Sequence, residues 1–176
     1  MEDGTVKKGL ITILLEHDDP KQNVISFVPE GETNPQNMNM KDIKSYFIDG
    51  NTYVPNVINL YFIDYRLLFV KRLTDENARM QLYELHQLFK SNDEGQETSY
   101  YFISLPSFPK YQVVDINSTK LIPIFDVKMS DYVSDCPGLV NKIRAKQKGY
   151  YYTFMSLRPK KLEVIKRIVK EYNSCN

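Results

Sequence analysis

The residues of this chain able to do covalent or metal chemistry are few: two cysteines, two histidines and scattered carboxylates. Cys136 stands in Ser134-Asp135-Cys136-Pro137, where a helix is about to start, and Cys175 in Tyr172-Asn173-Ser174-Cys175, one residue from the end. Two thiols about 40 positions apart, with His17 and His86 as the only imidazoles, have no metal-ligand spacing. Thiol redox catalysis wants Cys-x-x-Cys, which does not occur. The pair reads as a staple, a disulfide Cys136–Cys175 bracketing a helical tail, with two free thiols as the alternative.

The other candidates are weaker. His17 lies in Glu16-His17-Asp18-Asp19, a turn that can hold a cation or simply be solvated. Glu84 and His86 share a face if their segment is a strand, but a nucleophilic triad also needs a serine or cysteine beside them in space. No Asp-x-Asp-x-Asp-Gly loop occurs, and the seven glycines are scattered singly, so no phosphate cradle is written here. The expectation is therefore no catalytic residue, no metal site and no cofactor.

Binding chemistry is better represented. Tyr100-Tyr101-Phe102 and Tyr150-Tyr151-Tyr152 offer rings that can stack on sugars or a partner, or pair across strands. Net charge is +1, but residues 1–138 hold 13 Lys/Arg against 20 Asp/Glu (−7), and residues 139–176 hold 10 against 2 (+8). The basic end can serve an anionic partner or lie beside the acidic remainder. Tyr100, Tyr150, Tyr152, Lys160, Lys161, Lys166, Arg167 and Lys170 are the candidate surface contacts. Aromatic–basic interleaving of a nucleic-acid module is missing, so nucleic acid is not an expected partner.

The elements that position these residues change character along the chain. At 176 residues one domain is the default. Short apolar and β-branched runs predict strands at Gly9–Leu15, Val24–Val28, Ser45–Ile48, Thr52–Val54, Val57–Tyr65, Ser99–Leu105, Tyr111–Ile116 and Leu121–Phe125. Asp49-Gly50 between two of them is a hairpin signal, because that turn needs positive φ. Gly31–Asn39 reads as a loop. Leu67–Phe89 is ambiguous, since Leu82, Leu85 and Phe89 have helical spacing while Met80 and Leu82 alternate with polar neighbours. Beyond it the period becomes helical: Asp126–Val133, a helix with Pro137 at its first position, and a last helix opened by Ser156 or Pro159. Leu162, Ile165, Ile168/Val169 and Tyr172 form that helix's apolar row, with the lysines opposite. No run reaches the roughly 18 apolar residues of a membrane span. Met1-Glu2-Asp3-Gly4 is acidic and polar rather than a signal peptide, read as a cytosolic start or one placed after a removed signal.

Taken together, Ser134-Asp135-Cys136-Pro137, Leu139, Ile143 and Tyr172-Asn173-Ser174-Cys175 resemble the tail of a broad group of exported, signal-peptide-bearing Bacteroidota proteins. Lys8-Gly9-Leu10-Ile11, Asp42-Ile43-Lys44-Ser45-Tyr46, Phe69-Val70-Lys71-Arg72-Leu73 and Met80-Gln81-Leu82-Tyr83-Glu84 correspond upstream. The group's usual first hairpin has no counterpart around His17 to Ile25. The resemblance implies export and a disulfide, and implies no activity. It also implies that Leu67–Phe89 is two strands joined near Asp75 to Ala78.

The resulting expectation is an α+β fold. A β-rich twisted antiparallel sheet, barrel- or sandwich-like, occupies residues 1–125. A disulfide-stapled helical tail of two to three helices, 126–176, packs on it as one structural domain. The expected function is a non-enzymatic envelope protein, periplasmic or outer-membrane-associated, acting on another envelope protein or a glycan, with no membrane-spanning segment and peripheral association left open. A hydrolase with an unrecognised site and a cytoplasmic interaction or immunity module with free thiols are the rivals.

Overall fold

The computed structural model describes residues 5–12, 24–60, 64–91 and 94–175. The expected carboxylate turn at His17 lies outside them. The chain is α+β with strands dominating, in two compact units, 1–71 and 72–176. The change of composition at 125/126 falls inside the second unit.

In the first unit β1 (Gly9–Thr12), β2 (Val24–Pro29) and β3 (Gln36–Asn39) make an antiparallel sheet in sequence order. The expected loop at 31–39 thus ends in a strand. Gln36-Asn37-Met38-Asn39 has no apolar period, but Phe27↔Gln36 through Val24↔Asn39 satisfy its backbone. Then β4 (Tyr46–Ile48), β5 (Asn51–Leu60) and β6 (Asp64–Arg72) follow as an antiparallel meander. The turn Asp49-Gly50 has φ of 49° and 76°, the two positive values a tight hairpin needs. Tyr46 and Tyr53, paired across it, stack with centroids 4.8 Å apart. The runs expected at 52–54 and from 57 are one strand, carried through Pro55.

In the second unit β7 (Gln81–Ser91) and β8 (Glu94–Ser104) pair antiparallel along their length, and β9 (Val114–Asp115) adds a short edge. Residues 67–89 are therefore strand, turn and strand. Local helix propensity loses to the ladder, because Leu82↔Ile103 and Tyr83↔Phe102 bury both faces of β7 at this point. Ala78 N–H donates to the Asp75 carbonyl within the turn. No described pairing returns from a last strand to a first, so the sheets are open and the barrel expectation is corrected.

Three helices complete the unit: α1 (Phe125–Tyr132), α2 (Pro137–Arg144) and α3 (Arg158–Asn173). The strand expected at Leu121–Phe125 is absent. Pro123 has no N–H for a ladder, and Leu121 and Ile122 are buried in irregular backbone instead. The core of this unit gathers Met80, Leu82 and Ile103 from the sheet, Phe125 and Met129 from α1, Leu139 and Ile143 from α2, and Val164, Ile165, Ile168 and Val169 from α3.

Candidate functional site

Among the described residues, bonds converge on the C-terminal end of α3. Cys136, the residue before α2, is joined to Cys175 by a disulfide. Arg79, in the turn before β7, reaches the same point. Its Nη1 donates to the Cys175 carbonyl at 2.6 Å and the Tyr172 carbonyl at 3.4 Å. Its Nη2 pairs with Asp135, and its guanidinium lies 4.3 Å from the Tyr172 ring centroid. Asn173 completes the clamp: Met80 N–H donates to its Oδ1 at 2.7 Å, and its Nδ2 donates to the Met80 carbonyl at 3.0 Å. Asp135, Cys136, Tyr172, Asn173 and Cys175 of the tail motif are thus spent on fixing a helix end. A cation at a helix C-terminus also complements the dipole and satisfies last-turn carbonyls.

The faces of α3 correct the sequence reading by one position. Its buried row is Lys161, Val164, Ile165, Ile168, Val169 and Tyr172, spaced i, i+3, i+4, i+7, i+8 and i+11, while Leu162 sits at the edge. Lys161, expected as a surface contact, is 6% exposed. Its stem fills a place in the apolar stripe and its Nζ donates to Asn117 Oδ1 at 3.2 Å. Burial pulls that ammonium below its usual range against the opposing pull of Asp115. Burial likewise pushes the Asp115 carboxyl up, opposed by hydrogen bonds from Asn117. Lys160, Lys166, Arg167 and Lys170 are exposed, and Arg167 lies over the Tyr150 ring.

The tyrosines are corrected more sharply. Tyr152 is 1% exposed, tilted against Phe125 with centroids 4.2 Å apart, and its hydroxyl donates to the Ile116 carbonyl at 2.6 Å. Tyr150 is buried, and its hydroxyl donates to Glu171 Oε2 at 2.6 Å while Lys142 Nζ holds Oε1 at the same distance. Burial pushes the Glu171 carboxyl up, but those two donors and the lysine charge outweigh it and hold the group below its usual range. Neither ring has a face to offer a ligand. Tyr100 is half-buried, with the Arg158 guanidinium 5.6 Å from its centroid.

His86 meets a serine that spacing alone did not identify. The pair His86↔Ser99 brings Nδ1 to 3.1 Å from Ser99 Oγ, and the next pair on that face joins Tyr101 O–H to Glu84 Oε1 at 2.9 Å. A hydrolytic triad would set a carboxylate against the imidazole, whereas this carboxylate serves the tyrosine. Backbone N–H groups alongside belong to the β7–β8 ladder and are not aimed at a developing oxyanion. The four side chains read as cross-strand pairs on a sheet face. Among the described residues no group of three or more His, Cys, Asp and Glu is placed to hold a metal ion.

A further candidate among the described residues is a cleft of about 770 Å³ beside α3. Its walls are the 72–78 segment, carrying Arg72, Thr74 and Asn77, and the outer face of α3, carrying Lys166 and Lys170. Arg72 is held by Glu76 at 3.9 Å, and Asp75 also lines the wall, so the cations exceed the acids. Sequence periodicity exposed the two lysines, but the opposite wall is a turn whose position depends on the Arg79 and Asn173 clamp. Compared with protein-family models, curated proteins and solved structures, the chain matches none.

Proposed function

We propose that this chain is an exported envelope protein that works by surface recognition, with the cleft beside α3 as its recognition surface and an acidic glycan as the ligand class. The observation that carries the reading is the composition of that cleft, with Lys166 and Lys170 on one wall and Arg72, Thr74 and Asn77 on the other. Lys166 and Lys170 supply charge for carboxylate or sulfate groups and Asn77 a polar donor for hydroxyls, while the Thr74 hydroxyl is committed to Gln81 and Arg72 to Glu76. Export is supported by the disulfide, since such bonds persist in oxidising compartments. The resemblance to the exported Bacteroidota group agrees with it. Among the described residues no helix is long and apolar enough to cross a membrane, which is compatible with a peripheral place in the envelope.

The test is calorimetric titration of the disulfide-intact protein with acidic and neutral oligosaccharides, repeated on Lys166→Glu/Lys170→Glu. Binding of the acidic set that the double variant abolishes supports the reading. Equal binding of neutral sugars, or no loss in the variant, overturns it. A hydrolase reading would instead rest on the His86–Ser99 pair. Turnover of a generic ester that Ser99→Ala removes would establish it.

A further inference from the structure

The other end of α3 carries a feature that recognition in the cleft does not use. Residues 153–157 are a tight turn: Ser156 N–H donates to the Thr153 carbonyl at 3.0 Å, and Thr153 N–H donates to Ser156 Oγ at 3.0 Å. The turn holds Phe154 at 67% exposure, Met155 at 86% and Leu157 at 77%. Three large apolar side chains within four residues, displayed on a hydrogen-bonded turn, form a protruding tip rather than a collapsed loop. Large exposed apolar patches of this kind mark interaction sites.

The charge around the tip selects its occupant. Residues 150–162 hold Arg158, Lys160 and Lys161 and no Asp or Glu. Arg158 and Lys160, immediately after the tip, are exposed, and the first turn of α3 contains no acidic residue. The comparable tip in the first unit, Phe47 and Ile48 at 70% and 51% exposure, has Lys44 before it but Asp42 and Asp49 beside it, so its flank is not cationic alone. We propose that Phe154, Met155 and Leu157 insert into the interfacial region of an anionic lipid surface, with Arg158 and Lys160 contacting its headgroups. An apolar knob ringed by cations suits a lipid interface, which needs no matching pocket and supplies the opposite charge. Lys161, buried behind the tip, has its Nζ 5.6 Å from the Phe154 centroid. The proposal adds a membrane contact to the recognition reading and does not depend on what the cleft binds.

The experiment is co-sedimentation of the disulfide-intact protein with vesicles of phosphatidylcholine alone and of phosphatidylcholine with 30% phosphatidylglycerol, a composition of about one anionic lipid in three, chosen for its surface charge. The expected result is binding to the anionic vesicles that weakens as salt rises. Phe154→Ser/Met155→Ser/Leu157→Ser should lower it at least tenfold, and Arg158→Gln/Lys160→Gln about 25-fold, at roughly fivefold per surface cation. Circular dichroism melts of both variants confirm that they fold, and Phe154→Ser alone serves where the triple variant does not. Protein that stays in the supernatant with anionic vesicles, binds both vesicle types equally, or binds equally well without the tip overturns the proposal. So does a tip-dependent dimer in gel filtration with no vesicle binding.

Discussion

The two ends of α3 (Arg158–Asn173) are built on opposite plans. At the C-terminal end a disulfide, a guanidinium shared among two carbonyls and a carboxylate, and an amide paired with Met80 backbone leave little polar capacity unspent. At the N-terminal end Leu157 caps the helix with no side-chain hydrogen bond, and the preceding turn shows apolar side chains to solvent. Mutual satisfaction of buried or constrained polar groups is what stability requires. Exposed phenylalanine, methionine and leucine contribute nothing to it. The chain's most recognisable motif is therefore architectural, and its candidate contacts lie where no motif is written.

Breaking the clamp should give the largest effect. Replacing Cys136 and Cys175 with serine opens a loop of 39 residues' separation, and the chain-entropy relation assigns such a loop about 4 kcal/mol. Urea unfolding of the double variant should show that loss, with little further change on adding reductant. Thiol titration of the unreduced, denatured parent should find no free thiol. Two free thiols would remove the staple from the comparison and export from the proposed function.

Next in size is the apolar row that joins the two ends. Ile165 is fully buried among sheet and helix side chains. Ile165→Ala should cost about 3 kcal/mol, combining lost transfer energy with the cavity left behind. An unchanged thermal melt would mean that the clamp, and not the packed face, holds α3 in place. Arg79→Met should be milder, about 1–2 kcal/mol, since the guanidinium is part-exposed and its ion pair is screened. If Arg79→Met equals the disulfide loss, the guanidinium rather than the covalent bond is the main tie.

How much of this was legible in the sequence depends on whether the signal was local. Asp49-Gly50 was legible because positive φ at successive positions is a backbone demand that few residues meet. The α2 start was legible from Pro137, whose missing N–H costs nothing at a first turn. The strand at Gln36–Asn39 was not, because its stabilisation comes from a partner strand rather than from its own polar side chains. Lys161 was misplaced because a charged residue type was assumed to face water, while its methylene stem completes an apolar stripe. Tyr150 and Tyr152 were misplaced for the converse reason. A buried tyrosine needs a hydroxyl acceptor, and Glu171 and the Ile116 carbonyl come from distant sequence. The Ser99 partner of His86 was invisible because it is set by strand register, and the cleft wall at 72–78 because its neighbours on α3 come from distant sequence.

The smallest expected effect separates the two plans most cleanly. Phe154, Met155 and Leu157 together carry more apolar surface than Ile165, yet each is more than half exposed. Burial, not residue type, sets the hydrophobic contribution to folding. Replacing all three with serine should therefore shift stability by no more than about 0.5 kcal/mol, the usual range for surface positions. The hydrogen bonds that define the turn run between Thr153 and Ser156 and are untouched by the change. The measurement is a urea melt of the triple variant beside Ile165→Ala under the same conditions. Near-parent stability in the first and a loss of about 3 kcal/mol in the second show that the packed row of α3 holds the fold and that the tip before it does not. A loss of 2 kcal/mol or more in the triple variant, on the order of a buried apolar side chain, would place the tip in a packed interface of the folded chain and withdraw it as a membrane contact.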